Sequence, residues 1–236
     1  MAGGEGDTPA ARAEALWSAR RSARAMEPIS GLSLQEGNLI ASSLYDRLGR
    51  EGARQIGWKI AATDPGVQRR FETDRPFTAP VFDISVYPPG STISLGSLIA
   101  PLIETEVGVS VAGGVVTVLP CIEIADCRIR GWSVKLPAAI ADFGLQGAML
   151  FGEPVAIPRP GTLEAAVTRD GQVVSRGMVD LPAAVARARE LPMPAGAAGR
   201  AVLVATGAVF APVPLTAGRW MVAFGPLGAL SVVVTA

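Results

Sequence analysis

Histidine is absent from all 236 residues. That excludes Ser–His–Asp and Cys–His catalytic pairs, histidine metal ligands and imidazole proton shuttles. Acid–base or metal chemistry therefore falls to carboxylates, lysine, tyrosine or cysteine. Lysine is almost as scarce: Lys59 and Lys135 are the only two, and the other 19 basic residues are arginines. Cysteine occurs twice, at Cys121 and Cys127. Two thiols six residues apart make neither a disulfide framework nor a zinc site. Their apolar neighbours mark them as buried thiols of a reducing compartment. Charge of one sign is lacking too, with 21 Lys+Arg against 21 Asp+Glu. The chain thus has no electrostatic footprint for nucleic acid or anionic membrane, and neither partner is expected. No apolar run approaches the roughly 20 residues of a spanning helix. The segment Met1 to Asp7 is Gly-rich and acidic without an apolar stretch, so it does not read as a signal peptide. The expected location is cytoplasmic.

What is present is apolar: 49% of residues are hydrophobic, too many for intrinsic disorder. The pattern predicts a flexible tail over 1–8 and a single domain over 9–236, with N-terminal helices over 9–52 and a β-rich body over 53–236. Pro9 to Ala25 is rich in Ala, Arg and Glu, and Ser33 with Glu36 forms a capping box for a second helix. Short helices are expected over Pro137 to Gly144 and Pro182 to Glu190. Candidate strands are Trp58 to Ala61, Ile103 to Val111, Val115 to Val118, Cys121 to Ala125, Val155 to Ile157, Leu163 to Arg169, Val202 to Ala205, Trp220 to Phe224 and Ala229 to Thr235. Gly113-Gly114 and Asp170-Gly171 are hairpin signals. The run Leu230 to Val234 reads equally as a core strand or a subunit edge.

Three acids and one lysine stand out. In Ile103-Glu104-Thr105-Glu106-Val107, residues two apart on a strand share a face, so Glu104 and Glu106 lie side by side. Like charges that close repel unless a cation or proton intervenes. Either the strand faces solvent, or the pair holds a hard divalent cation such as Mg²⁺ or Mn²⁺. Glu123, flanked by Ile122 and Ile124, is either exposed on the far face of its strand or costly to leave unpaired. Asp126 is expected at the strand end, paired to Arg128 or capping a turn. Lys59, in Gly57-Trp58-Lys59-Ile60, is either an edge lysine with its ammonium in water or a cation that holds an anionic substrate or moves a proton.

Four stretches in order resemble the 2-keto-4-pentenoate hydratase/4-oxalocrotonate decarboxylase branch of the fumarylacetoacetate hydrolase superfamily. They are Gly57-Trp58-Lys59-Ile60 through Thr63 with Val67-Gln68; Ile103-Glu104-Thr105-Glu106; Val118 to Ile124 through Arg128-Ile129, with Trp132-Ser133 and Ala141-Asp142; and Thr206-Gly207-Ala208. The resemblance implies an α+β fold, a mixed β-roll or sandwich behind an N-terminal helical region, in a homo-oligomer of two or more copies. It implies Glu104, Glu106 and Glu123 as ligands of Mg²⁺ or Mn²⁺, Lys59 and Asp74 as catalytic residues, and Lys135, Asp142 and Thr206 as substrate-binding residues. The implied activity is a metal-dependent lyase of hydratase type on a 2-hydroxydienoate or 2-keto acid, through a metal-stabilised enolate. The alternatives are a 2-keto acid decarboxylase or keto–enol isomerase on the same scaffold, and a catalytically altered homologue serving as a partner subunit or in a new reaction. The histidine-assisted hydrolase branch ranks last, for want of histidine.

The departures from the family pattern are local. Glu106 and Glu123 are only seventeen residues apart, where the family has a long insert. Ala138-Ala139 replaces an Asp-Thr pair, Phe143-Gly144-Leu145 replaces Asn-x-Ser, and Phe77 to Pro80 has lost an acid and a glycine. The metal triad is kept while the residues expected around the substrate have changed.

Overall fold

The computed structural model describes residues 8–159, 161–194, 197 and 199–236. The expected flexible tail thus falls, but for Thr8, outside the described residues. The elements run in the order α1 (Pro9–Ser22), α2 (Leu34–Arg50), β1 (Gln55–Ala61), α3 (Pro65–Phe71), β2 (Phe77–Phe82), β3 (Thr92–Ser94), β4 (Leu102–Ala112), β5 (Val115–Ala125), α4 (Leu136–Ala141), β6 (Gln146–Phe151), β7 (Thr162–Arg169), β8 (Gln172–Asp180), α5 (Leu181–Arg189), β9 (Val202–Ala208), β10 (Val213–Pro214), β11 (Gly218–Ala223) and β12 (Ala229–Thr235). Among the described residues, no helix is long and apolar enough to cross a membrane.

Local chemistry explains the helix starts. Thr8 accepts a hydrogen bond from the Ala11 amide and Pro9 opens α1. Ser33 and Glu36 close the reciprocal capping box at α2. Asp64 accepts from the Gly66 and Val67 amides at the start of α3, and Asp180 from Ala183 at α5.

Two sheets form an α+β architecture. The first has seven strands in the order β2-β1-β9-β4-β5-β6, with β10 also paired to β4; the second runs β3-β12-β11-β7-β8. Pairing is antiparallel except between β1 and β9 and between β12 and β3. Alternation on β4 and β5 sends Ile103, Val107, Val109, Ile122 and Ile124 into a core between the sheets, where they join Val167, Trp220, Val222 and Val232. The opposite face of the first sheet is covered by helices. There Leu16 and Trp17 of α1 and Ile40, Leu44 and Leu48 of α2 pack with Ala138, Phe143 and Leu145. Glu104, Glu106 and Glu123 stand on this second face, in the gap between sheet and helical layer.

Several expectations are corrected. Val115 to Val118 and Cys121 to Ala125 are one continuous strand. Pro120 stays in the ladder opposite Val107, so the loss of one donor does not end β5. Val155 makes only an isolated bridge to Val118, because Pro154 and Pro158 interrupt any longer run. The helix expected to Gly144 ends at Ala141, since Phe143, Gly144 and Leu145 all adopt positive φ in a tight turn. Strand β6 lacks the alternating pattern and is buried on both faces for most of its length, while β2, buried at Ala79, Val81 and Phe82, carries Pro80 in its middle. Leu230 to Val234 pairs on both sides, with β11 and β3, so it is an interior strand.

One close approach underlies the whole arrangement. A Cβ at Gly57 would lie 1.7 Å from the Leu203 carbonyl oxygen across the parallel β1–β9 pair. Gly57→Ala must push these strands apart next to Lys59. It should lower the denaturation midpoint by an amount corresponding to about 3 kcal/mol or more. An unchanged midpoint in urea titration would reject this packing.

Candidate metal centre

The two-residue Gly113-Gly114 turn joins β4 to β5 with Ala112 opposite Val115, and counting back along the ladder sets Glu104 directly opposite Glu123. Directly opposed residues on an antiparallel pair share a face. Glu106, two residues on, shares it too. One carboxylate oxygen from each of Glu104, Glu106 and Glu123 lies within 4.8 Å of the others. Glu106 and Glu123 are fully buried, and Glu104 is half-buried and lines a cavity of about 430 Å³.

Lys59 comes from β1 in the same sheet. Its Nζ donates to Glu123 Oε1 at 2.6 Å and to the Gly144 carbonyl at 2.8 Å, with the side chain only 4% exposed. Burial alone would lower its pKa, but Glu123, Glu104 and Glu106 outweigh that and raise it. Lys59 is therefore a charged ammonium, with one of its three donors left over. Glu106 Oε2 accepts from the Gly207 amide at 2.8 Å. That contact needs glycine: φ is +98°, and a Cβ would meet Thr63 Oγ1 at 2.4 Å.

The acids carry the strain. Burial, then the charge of Glu123, pushes Glu104 up to about 7. Burial followed by Glu123 and Glu104 pushes Glu106 well above the usual carboxylate range. Cys121, opposite Glu106 on β5, is raised well above the ordinary thiol range by burial and then by Glu106 and Glu123, so it is an inert thiol. Three carboxylates against one ammonium leave two negative charges, the complement of a divalent cation. Glu106 Oε1 and Glu123 Oε2 are buried with no hydrogen-bond partner. An unpartnered buried carboxylate oxygen costs several kcal/mol or takes up a proton. The donor set is all hard oxygen, which suits Mg²⁺ or Mn²⁺. The residues present fit such an ion.

The rest of the cavity is largely apolar, with Ile60, Val67, Phe71 and Phe210 in its wall. Ala62, Trp132 and Leu145 also line it, and all three hold positive φ at 58°, 56° and 65°. Each such residue costs roughly 1–3 kcal/mol, and this kind of strain gathers at ligand sites.

Several expected site residues lie elsewhere. Asp74 is exposed in the turn between α3 and β2 and does not line the cavity. Lys135 is exposed and pairs with Glu72 at 2.9 Å, because its strand-like approach to α4 points it outward. Asp142 is buried beneath the cavity in an ion pair with Arg128 at 2.6 Å. Burial raises its pKa, against the pull of Arg128. Arg128 also donates to the carbonyls of Asp142 and Gln146, so this pair braces the α4–β6 connection. Thr206 Oγ1 donates to the Val107 carbonyl at 2.9 Å and so ties the end of β9 to β4. Asp126 does not pair with Arg128; its carboxylate accepts from the Ile99 and Ala100 amides. The motif reading missed the Gly144 carbonyl and Gly207 amide, backbone groups that no residue pattern displays, and Arg70 at the cavity rim.

No family model matches this chain. It is similar to curated hydratases. It is 28% identical over 143 residues to a 2-keto-4-pentenoate hydratase of Burkholderia vietnamiensis, a stretch covering 53% of this chain and 55% of that protein. It is 28% identical over 164 residues to a 2-hydroxypent-2,4-dienoate hydratase of Pseudomonas putida, covering 62% and 74%. The match thus spans about half the length of the first of these relatives. In fold, it superposes on 4-oxalocrotonate decarboxylase from Pseudomonas putida G7, complexed with magnesium and adipate. The TM-score is 0.83 at 19% identity, over 96% of this chain and 97% of that one. Fumarylpyruvate hydrolase from Pseudomonas aeruginosa, in complex with Mn²⁺ and pyruvate, gives a TM-score of 0.58 at 16% identity, covering 77% and 89%. The structural matches show the fold, and the curated matches carry the hydratase names of the branch that the motifs resemble.

Two outcomes test the centre. Mg²⁺ or Mn²⁺ at a hundred times its Kd should stabilise the protein by about 2.7 kcal/mol, read as a rise in Tm. Glu106→Gln should leave the metal-free Tm equal or higher, by relieving repulsion, and abolish the rise. A retained rise would remove Glu106 from the ligand set. Asp142→Ala should instead cost about 3–5 kcal/mol of stability by orphaning Arg128. A near-neutral Asp142→Ala in urea titration would contradict its bracing role.

Proposed function

We propose that this chain is a divalent-metal-dependent lyase of hydratase type acting on a 2-hydroxydienoate or 2-keto acid. One observation carries the reading. Glu104, Glu106 and Glu123 converge with two unpartnered buried carboxylate oxygens beside a charged lysine, and Glu104 and that lysine line an apolar-walled cavity. The names of the similar curated proteins and the magnesium and manganese complexes of the structural neighbours support it.

Glu104, Glu106 and Glu123 would hold the ion. When bound, the cation supplies Lewis acidity toward the oxygens of a 2-keto or 2-hydroxy acid. The remaining work belongs to side chains. Glu106 is immobilised by the Gly207 amide and Glu123 by Lys59, so neither is free to move. Lys59 has one N–H left to face the cavity, where it neutralises charge developing on the substrate and holds or delivers a proton. Glu104, half-buried and cavity-lining, is the carboxylate best placed to orient a water for addition. The walls of Ile60, Val67, Phe71 and Leu145 keep bulk water from the conjugated chain.

The proposal includes a cytoplasmic location and a homo-oligomer. The free buried thiols Cys121 and Cys127 support a reducing compartment. Exposed Val173, Val174 and Met178 on edge strand β8 support a subunit contact.

Turnover of a panel of 2-hydroxydienoates and 2-keto acids with Mg²⁺ or Mn²⁺ tests the function. Loss of dienoate absorbance without CO₂ release is the expected result, and CO₂ release would instead assign decarboxylation. Lys59→Ala should lower kcat by about a hundredfold or more while the metal-induced rise in Tm persists. Wild-type turnover in that variant, or no turnover of any panel member by the wild type, overturns the proposal.

A further inference from the structure

Between β4 and β9 the ladder slips by one residue. Gly108 lies opposite Ala205 and Glu106 opposite Ala208, so Thr206 and Gly207 together face Val107. This is a β-bulge, which takes its extra residue out of the pairing. The parallel pairing of β9 with β1 also ends at Ala205. The polar groups of the Thr206–Gly207 peptide are taken up by side chains instead, and those two side chains carry opposite charge. The Gly207 N–H donates to Glu106 Oε2 at 2.8 Å. The Thr206 carbonyl accepts from Arg187 Nε at 3.2 Å.

Arg187 stands in the last turn of α5, whose Leu181, Ala184, Val185 and Ala188 are fixed in the core between the sheets. Asp64 and Asp180 border the same cavity of about 240 Å³ as Arg187, but each spends an oxygen on a helix-start amide. Among the described residues Arg187 makes no ion pair, so the Thr206 carbonyl receives an unneutralised cation. A trans peptide is planar, with its C=O and N–H pointing in opposite directions. Holding the carbonyl toward Arg187 therefore aims the N–H at Glu106. The chain itself does not enforce this. Gly207 sits at φ +98°, and glycine takes either sign of φ about equally well. Rotating this one peptide would turn a carbonyl oxygen toward the Glu106 carboxylate, negative end to negative charge. Arg187 opposes that rotation. Its charge also polarises the peptide and strengthens the N–H as a donor.

We propose that Arg187 is a positioning residue of the carboxylate cluster: it locks the Thr206–Gly207 peptide with its N–H on Glu106, and so tunes the affinity for a divalent cation that it does not touch. The proposal rests on the reading of Glu106 as a metal ligand. Groups that orient a ligand from behind typically change metal affinity by about 10–100-fold when removed.

The test compares the wild type, Arg187→Met and Arg187→Lys as full chains. In the metal-free proteins, amide hydrogen exchange at Gly207 should quicken by about tenfold or more in Arg187→Met. Calorimetric titration with Mn²⁺ should show Kd raised by about tenfold or more in the same variant. Arg187→Lys, which can still donate to the carbonyl, should recover part of both effects. The metal-free Tm should fall by only about 2–4 °C, the cost of one hydrogen bond to a carbonyl that water can reach from the neighbouring cavity. A purely structural role would lower Tm and leave the Mn²⁺ Kd unchanged. That result, or Gly207 exchange as slow in Arg187→Met as in the wild type, overturns the assignment. A wild type that binds no Mn²⁺ overturns the metal centre itself and the positioning role with it. Mn²⁺ binding of equal strength in all three proteins overturns the positioning role alone.

Discussion

Three carboxylates and one ammonium share a buried pocket in which only the Lys59–Glu123 contact is a satisfied pair. At 4 Å, two like charges repel by about 4 kcal/mol at an effective dielectric constant of 20, and burial adds desolvation on top. Few arrangements tolerate this without a further cation or proton. Much of the surrounding fold reads as a means of holding those charges where they are. Strand β1 must sit beside β9 to bring Lys59 to Glu123, and that approach needs Gly57. The turn after α4 must present the Gly144 carbonyl to Lys59, and it does so through three consecutive residues at positive φ. The end of β9 must present the Gly207 amide to Glu106, with Thr206 tying that strand to β4.

The second sheet and the helical layer make different contributions. The inter-sheet core of branched aliphatics holds β4 and β5 rigidly from behind, so that the carboxylates cannot swing apart to relieve repulsion. The helical layer closes the opposite side and supplies the cavity wall. Ala138 and Ala139 lie buried against α2 in that layer, and Phe143 and Leu145 pack beside them. The positions at which the sequence departs from the resembled family thus form apolar packing and cavity wall. They leave Lys59, Asp64, Arg70 and Glu104 as the charged residues lining the cavity.

Legibility from sequence followed the range of the interaction. The helix caps at Ser33 and Asp180, the amphipathic stripe of α2 and the two hairpin turns depend on neighbours within a few residues, and all were readable. So was the pairing of Glu104 with Glu106, which needs only strand periodicity. The position of Glu123 was also implicit. Glu104 lies eight residues before Ala112 and Glu123 eight after Val115, so a two-residue turn at Gly113-Gly114 sets them face to face. Strand β6 was hidden because burial on both faces removes the alternation that betrays a strand, and β2 because Pro80 sits in its middle. Asp142 and Lys135 were misplaced for a related reason. Whether an isolated charged residue points into a site, into an ion pair or into water depends on partners such as Arg128 and Glu72, which come from other elements.

The sequence by itself determined the chemical inventory: no imidazole, a scarce lysine inside a strand, and three glutamates whose spacing and intervening turn place them on one face. These follow from covalent order and the two-residue repeat of a strand. Tertiary structure alone decided which groups are left unsatisfied. That Lys59 is spent on Glu123 and Gly144 and that Glu106 is anchored by a backbone amide are facts of packing between segments 64 to 101 residues apart. Hydrogen-bond donors and acceptors are saturated by whatever the fold brings within 3 Å, and no local pattern encodes which partner arrives.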